Sequence, residues 1–429
     1  MKEDKEKGML KNLMELLDKY EELTLEGVSL SADELEINIK SSKALQGKII
    51  REELGKTLLE LGKALIKGGL AEAITPPTLT QIQSQIQQPL LPSKPLELKE
   101  SDYKLPIKKY SGKIVEVTIG ATKEEGGTRG KKVIVGGECM PAFHLFEGLQ
   151  PYAPAIAGDV FDMPISLPKP VKECFGDALQ DPVEWSKLLV EKVGVDLIDL
   201  ELISTDPYIK DTPVSEAVKL VEKVLQTVKV PIIVGGSGNP DKDAQLLPKV
   251  AEVCEGERVV LSSATLDMWE PVALAAKKHN HVILAWTSID LNQAKELNRK
   301  LLQYVPLNQI LIDPTSAALG YGFEYAFTIM ERIRLAAIMG DNELQCPQIS
   351  GTANAWGARE AWIKDPRLGP REFRGPLWET IGALAYLLAG IDIFIMLHPA
   401  AIRTVKDVIG WLMGGKNPET FSQWLGVGG

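Results

Sequence analysis

The sequence predicts an α/β fold: a (β/α)8 TIM barrel preceded by an N-terminal helical extension. Three observations lead there. The chain of 429 residues exceeds one average domain but suits a barrel of roughly 250 to 300 residues with an addition. Short β-branched or apolar runs alternate with helix-like segments over most of its length, the pattern of repeated βαβ units. The composition changes abruptly between residues 75 and 95, which separates that alternation from what precedes it.

From Met9 to Leu25 and from Leu45 to Leu70, apolar residues recur at three- and four-residue steps among Glu and Lys, which predicts two amphipathic helices in a module over residues 1–74. Residues 75–100, rich in Pro, Gln, Thr and Ser, read as a linker. The helical module is either a structural cap or a docking element for another subunit. Residues 101–429 form the expected barrel. A hairpin strand is expected at Lys113 to Ala121. Barrel strands are then expected at Lys132 to Gly136, Ala155 to Phe161, Leu197 to Ile203, Pro231 to Gly235, Val259 to Ser263, Val282 to Thr287, Ile310 to Pro314 and Asp392 to His398. Helical spacing marks Val214 to Val228, Asp243 to Cys254 and Leu291 to Tyr304. The stretch 323–391 is too long for one βα unit and is expected to hold an insertion.

Composition restricts function. With 45% hydrophobic and 25% charged residues the chain can bury a large core, and its formal net charge of -10 opposes nucleic acid. Cys139, Cys174, Cys254 and Cys346 stand far apart, without the C-x-x-C clustering of zinc or iron-sulfur sites, so no cluster is expected on this chain. The charged start, Met1-Lys2-Glu3-Asp4-Lys5, lacks an apolar signal region, and a cytoplasmic location is expected. The apolar stretch Ile381 to Leu397 is short and interrupted by Gly390 and Asp392, so it reads as a buried helix and strand rather than a membrane span.

The working face of such a barrel is built by the loops after the strands. Here those loops carry Ser204-Thr205-Asp206-Pro207, Gly235 to Pro240, Ser262-Ser263-Ala264-Thr265, Trp286-Thr287-Ser288 and Pro314 to Ala318. Hydroxyls, Gly and Asn dominate, which suits neutral hydrogen bonding to a large polar ligand more than acid/base or metal chemistry. The Gly235 to Pro240 turn lacks the residues of a P-loop or dinucleotide fingerprint and reads as a tight βα turn, with ligand contact as the alternative. Asp199 and Glu201 alternate with Leu200 and Leu202, so both carboxylates point the same way; a salt bridge to a neighbouring element is expected, with a catalytic acid as the alternative. His398 closes a strand and reads as a satisfied core histidine, with ligand contact as the alternative.

Specific strings go further. Phe175-Gly176-Asp177-Ala178-Leu179 with Asp181-Pro182-Val183-Glu184-Trp185, Ser204 to Pro207, Asp313 to Gly322, Met330 to Ala336, and Ser350-Gly351-Thr352 with Ala355 to Trp362 together span about residues 104–415. In these strings the chain resembles the small (delta) subunit of the corrinoid iron-sulfur protein, a component of the acetyl-CoA decarbonylase/synthase complex. The resemblance implies a subunit without independent catalytic activity, paired with a large (gamma) subunit that carries a [4Fe-4S] cluster. It implies that the corrinoid (cobamide) is shared with, and mainly bound by, that partner. It also implies transient contact with a methyltransferase and acetyl-CoA synthase, as methyl passes from a methyl-tetrahydropterin through cobalt to the synthase. No D-x-H-x-x-G motif is present to supply a cobalt-ligating histidine. On this reading Thr205, Ser237, Asn239, Ser263, Thr287 and Thr315 are the expected cofactor-facing set, with turn and helix-capping roles as the alternative. The alternative from another class is a methyltetrahydropterin:corrinoid methyltransferase using Asn239 and Asp206. An aldolase-like barrel would need a strand-end Lys or a metal set, which the sequence lacks.

Overall fold

Apolar runs from Ala155 onward become strands because burial on both faces suits continuous Ile, Val, Leu and Ala better than alternation. The structure, a computed structural model, describes residues 104–415. The expected N-terminal module and linker lie outside the described residues. Two short strands come first, β1 (Val117–Ile119) and β2 (Val133–Val135), paired antiparallel. Eight parallel strands follow: β3 (Ala155–Phe161), β4 (Leu197–Glu201), β5 (Ile232–Gly235), β6 (Val260–Ala264), β7 (Val282–Trp286), β8 (Ile310–Asp313), β9 (Ile349–Gly351) and β10 (Ile393–Met396). Their order is β8-β7-β6-β5-β4-β3-β10-β9. A parallel bridge between Ile312 and Gln348 joins the two ends and closes the barrel.

The outer layer comprises α1 (Lys169–Phe175), α2 (Pro182–Leu188), α3 (Val214–Thr227), α4 (Pro240–Val253), α5 (Trp269–His279), α6 (Leu291–Leu301), α7 (Phe323–Ile338), α8 (Arg371–Ala389) and α9 (Pro399–Leu412). Local chemistry sets their starts. Asn239 and Asp290 cap α4 and α6 by accepting backbone N–H groups, and Pro240 and Pro399 occupy first-turn positions where a missing N–H costs nothing. Each helix turns one stripe inward, as α3 does with Ala217, Val221, Val224 and Leu225.

Two strand assignments are corrected. The run Lys132 to Gly136 is not a barrel strand: β2 pairs with β1, and Val117, Ile119, Val133 and Val135 plug the N-terminal end of the barrel against Leu197, Ile233, Val260 and Leu311. The missing barrel strand is β9, inside the stretch 323–391 expected to be an insertion. That stretch holds α7, β9, short 3-10 turns between Thr352 and Leu368, and α8. A three-residue Ile-Ser-Gly strand carries too little apolar signal to be seen by periodicity. Arg258, just before β6, holds the plug by donating Nε–H to the Thr118 carbonyl at 2.8 Å.

Ile381 to Leu397 is a helix followed by a strand as expected, with the strand buried but Ile381 and Leu388 of the helix exposed. Helix α8 stops at Gly390, whose φ of 99° only glycine adopts readily, and β10 follows. No helix of the described residues is long and apolar enough to cross a membrane.

Gly390 also lets Arg334 of α7 approach, since a Cβ there would lie 2.6 Å from Arg334 Nε. The buried guanidinium donates to Glu138 at 3.0 Å, to Asp392 at 2.9 and 3.0 Å, and to the Gly390 carbonyl at 2.6 Å. Asp392 in turn accepts the Gln348 backbone N–H at 2.8 Å, which fixes β9 beside β10. Replacing Arg334 by Met strands two buried carboxylates, so Arg334→Met is expected to cost about 3 to 5 kcal/mol in urea denaturation followed by circular dichroism.

Candidate functional site

The register that makes the barrel also stacks its interior in layers. Successive inward positions on β4 are Leu197, Asp199 and Glu201, because side chains alternate along a strand. Asp159 lies beside Asp199 on β3, and Asp313 occupies the matching end of β8. The lower layers are apolar. The upper layer is therefore a set of carboxyls at the C-terminal ends of the strands, around a cavity of about 390 Å³. Its walls include Phe161, Met268, Leu284 and Ile395, the serines Ser237, Ser262 and Ser263, Thr265, Asn354 and, at the rim, Trp286.

The expected salt bridge is overturned. Among the described residues no Lys, Arg or His forms an ion pair with Asp199 or Glu201, and none lines the cavity. Asp199 is fully buried, and its carboxyl faces that of Glu201 with no cation between them. Loss of solvation, then the charges of Glu201 and Asp159, push Asp199 well above the usual carboxylate range. Asp159 is pushed up in the same way, by burial and by Glu201 and Glu379. Burial lifts Glu201 to about 7, with the Asp243 charge adding to it. Burial likewise lifts Asp313 to about 7, against a hydrogen bond from the Thr315 N–H at 2.8 Å. Gly235 is required here, since a Cβ would lie 2.3 Å from the Glu201 carboxylate. Only a residue without a side chain leaves Glu201 its place.

The six residues expected to face a cofactor divide by position. Ser237 and Ser263 line the cavity. Asn239 is the N-cap of α4, accepting the Lys242 N–H at 3.1 Å. Thr205 is fully buried and donates its hydroxyl to the Leu202 carbonyl at 2.7 Å. Thr315 donates its hydroxyl to the Thr287 carbonyl at 2.8 Å, and Thr287 donates its N–H to the Asp313 carbonyl at 3.0 Å. Together the two threonines lock the loops after β7 and β8 and aim Asp313. Asp206 accepts the Tyr208 N–H at 2.8 Å and shapes its own turn, outside the cavity lining.

The Gly235 to Pro240 turn has an internal anion. Asp243 accepts the N–H groups of Ser237 and Gly238, each at 2.8 Å, which occupies the donors a phosphate would use. The segment is a tight turn, and Gly236, Ser237, Gly238 and Pro240 of it also line the cavity. His398 is likewise a core residue. Its Nδ1 accepts the Ala400 N–H at 3.1 Å, its ring stacks on Trp356 at 5.7 Å, and burial pushes its pKa down to about 3. Glu379 of α8, which sequence reasoning passed over, accepts from Trp356 Nε1 at 2.9 Å and from the Leu397 and His398 N–H groups at 2.5 and 3.0 Å. The available signal was an acidic residue within the otherwise uncharged run 375–389 of that helix.

A family model described as the CO dehydrogenase/acetyl-CoA synthase delta subunit matches residues 116–366, which is most of the barrel. The chain belongs to this delta-subunit family. It is 48% identical over 437 residues to the acetyl-CoA decarbonylase/synthase complex subunit delta of Archaeoglobus fulgidus, covering 96% of each chain. It is 50% identical over 332 residues to subunit delta 1 of Methanosarcina thermophila, covering 75% of this chain and 76% of that one. Among solved structures, a dihydropteroate synthase from Coxiella burnetii aligns with a TM-score of 0.44 at 12% identity, over 70% of this chain and 99% of that one. The relatives' names describe a subunit of a multi-subunit complex.

Two measurements probe the carboxyl layer. A carboxyl raised from 4.5 (Glu201) or 3.8 (Asp313) to about 7 binds its proton more tightly in the folded chain. Its stabilising contribution is therefore complete below the unfolded value and is lost as pH rises through about 7. Both carboxyls are only half-buried at the cavity, and solvent there reduces the effect. Unfolding free energy from urea titration is expected to fall by on the order of 1 to 3 kcal/mol per group between about pH 5 and about pH 8, with a shallower fall in Glu201→Gln and Asp313→Asn. Gly235→Ala is expected to cost about 1 to 3 kcal/mol through its clash, and Glu201→Ala in the same chain to recover much of that loss, measured as a double-mutant cycle.

Proposed function

We propose that this chain is the barrel subunit of a corrinoid-bearing assembly, and that its C-terminal mouth lies against a cobamide held mainly by a larger, cluster-bearing partner subunit. The observation that carries the reading is the rim, taken with family membership. Tyr208 is 91% exposed with Ile209 exposed next to it on the loop after β4, and Trp286 at the end of β7, Ile289 after it and Tyr321 on the loop after β8 are exposed too. Large aromatic side chains left uncovered at loop ends are characteristic of a face that contacts a partner or a broad apolar ligand. A corrin offers an apolar ring and an amide-bearing edge, which apolar side chains and neutral hydroxyls can meet.

The chemistry of the mouth fits a supporting role. His398 is locked in the core by Ala400 and Trp356, and among the described residues no imidazole or amine side chain lines the cavity. The corrinoid, when bound, supplies the cobalt that takes up and passes on a methyl group between methyl-tetrahydropterin and acetyl-CoA synthase. This chain's residues bind, orient and exclude water. The barrel frame keeps the loops rigid for that purpose, since Asp162 holds the turn at Ser204 by accepting its N–H at 3.0 Å and its hydroxyl at 2.5 Å.

The test is co-production with the large subunit, followed by gel filtration and an absorption spectrum. Tyr208→Ala with Trp286→Ala is expected to lower the corrinoid retained per complex by about tenfold while the barrel's circular dichroism is unchanged. Unchanged retention would overturn the reading. So would methyl transfer from methyl-tetrahydropterin to free cobalamin by the purified chain alone, which would make it an enzyme.

A further inference from the structure

The interior cavity beneath the rim has a composition that the platform reading does not use. Asp199 is 0% exposed and Asp159 6% exposed, and both line the cavity. Neither oxygen of Asp199, nor Oδ1 of Asp159, nor the hydroxyl of Thr265 has a hydrogen-bonding partner among the described residues. The groups that act on the Asp199 carboxyl are other carboxyls, Glu201 and Asp159, and a proton on any one of them still leaves acceptor capacity over. Buried polar atoms in folded proteins are satisfied with few exceptions, and a group left open toward a cavity marks where something else supplies the partner.

What supplies it follows from the lining. Asp159, Asp199, Glu201 and Asp313 surround the space with carboxyl oxygens, and no Lys, Arg or His is among the lining residues, so an anionic group finds no cation there. The described residues do not assemble a group of His, Cys, Asp or Glu with the geometry to hold a metal ion. Donors for these oxygens come either from water or from N–H and O–H groups of an organic molecule, and the apolar part of the lining favours the second. A cavity of about 390 Å³ admits one or two rings, and Phe161, Met268, Leu284 and Ile395 give it apolar walls. Carboxyl groups read two adjacent N–H donors with a matched pair of hydrogen bonds, a geometry that a planar amidine-type edge provides.

We propose that this cavity binds a small planar heterocycle, neutral or positively charged, whose amidine-type N–H edge is taken by the carboxyls of Asp199 and Asp159. The inference goes beyond the platform reading and does not depend on it, because the site lies within this chain alone. Serine and asparagine groups at Ser262, Ser263 and Asn354 would read the opposite edge of the ring. The rim residue Trp286 would lie over its entrance.

The experiment uses the full chain, without partner or corrinoid, and two probes of one shape. The first is 2-aminopyrimidin-4-one, which carries adjacent N–H donors; the second is uracil, which has a carbonyl oxygen in place of the amino group. Calorimetry is expected to show saturable binding of 2-aminopyrimidin-4-one at one site, with a Kd of roughly 1 mM or tighter. Uracil is expected to bind at least about tenfold more weakly, and Asp199→Asn to weaken 2-aminopyrimidin-4-one by about tenfold or more. Leu284→Phe fills the cavity without touching a carboxyl and is expected to abolish binding in a chain whose thermal transition confirms folding. Absence of binding to the folded wild-type chain at about 10 mM probe, equal binding of uracil, or binding undisturbed in Leu284→Phe would each overturn the proposal.

Discussion

Closure of the barrel depends on one buried guanidinium. The sheet is continuous from β8 round to β9, but its last join is a single bridge between Ile312 and Gln348, and a join that thin must be held from outside the strands. Arg334 does so through Asp392, which takes the Gln348 N–H on one oxygen while both of its oxygens accept from the guanidinium. The same side chain reaches Glu138, and so ties the segment after the hairpin plug to the last strands of the barrel. An ion pair buried at this depth gains little net stability over an apolar substitute, so its contribution is better understood as fixing one arrangement of chain segments far apart in sequence.

Closure has a consequence at the other end. With the hairpin closing the N-terminal end and apolar strand side chains filling the lower layers, the inward positions of the upper layer include Asp159, Glu201 and Asp313 around Asp199. Four acids facing one another cannot all ionise, and the chain provides no cation among its described residues to relieve them. Loops that look alike in composition then take different parts. Thr315 holds the Asp313 carboxyl and Thr287 the Asp313 backbone carbonyl, while Ser237 and Ser263 reach the space itself. The apolar side chains Tyr208 and Trp286 belong to the outer rim, where a partner surface has access. The two levels make different chemical demands, one for hydrogen-bond donors and one for apolar contact.

Much of this was legible from residues alone. Runs such as Val282 to Trp286 could be read as buried strands because hydrophobic length and flanking turn residues act locally, and Asn239 or Asp290 cap helices by contacts only a few residues away. The order of strings such as Asp313 to Gly322 and Ser350 to Thr352 identified the family before any coordinates. Even the alternation of Asp199 and Glu201 was visible, with both carboxyls assigned to one side of their strand.

Their partners were not visible, because an ion pair and a carboxyl pair look the same within a single strand. Whether a cation faces Asp199 is decided by β3, β5 and β8, brought alongside only when the barrel closes, and those strands bring Asp159 and Asp313 in place of a Lys or Arg. The same holds for β2 and β9. Three apolar residues at Val133 to Val135 suit a plug as well as a barrel, and Ile349 to Gly351 becomes a barrel strand only because Arg334 and Asp392 hold its neighbour in place. Sequence by itself determined which segments are strands and helices and which family they form, since those follow from local periodicity and extended motifs. Tertiary structure alone decided the sheet register, and with it which acids share one low-dielectric space, because that depends on contacts between residues far apart in the chain.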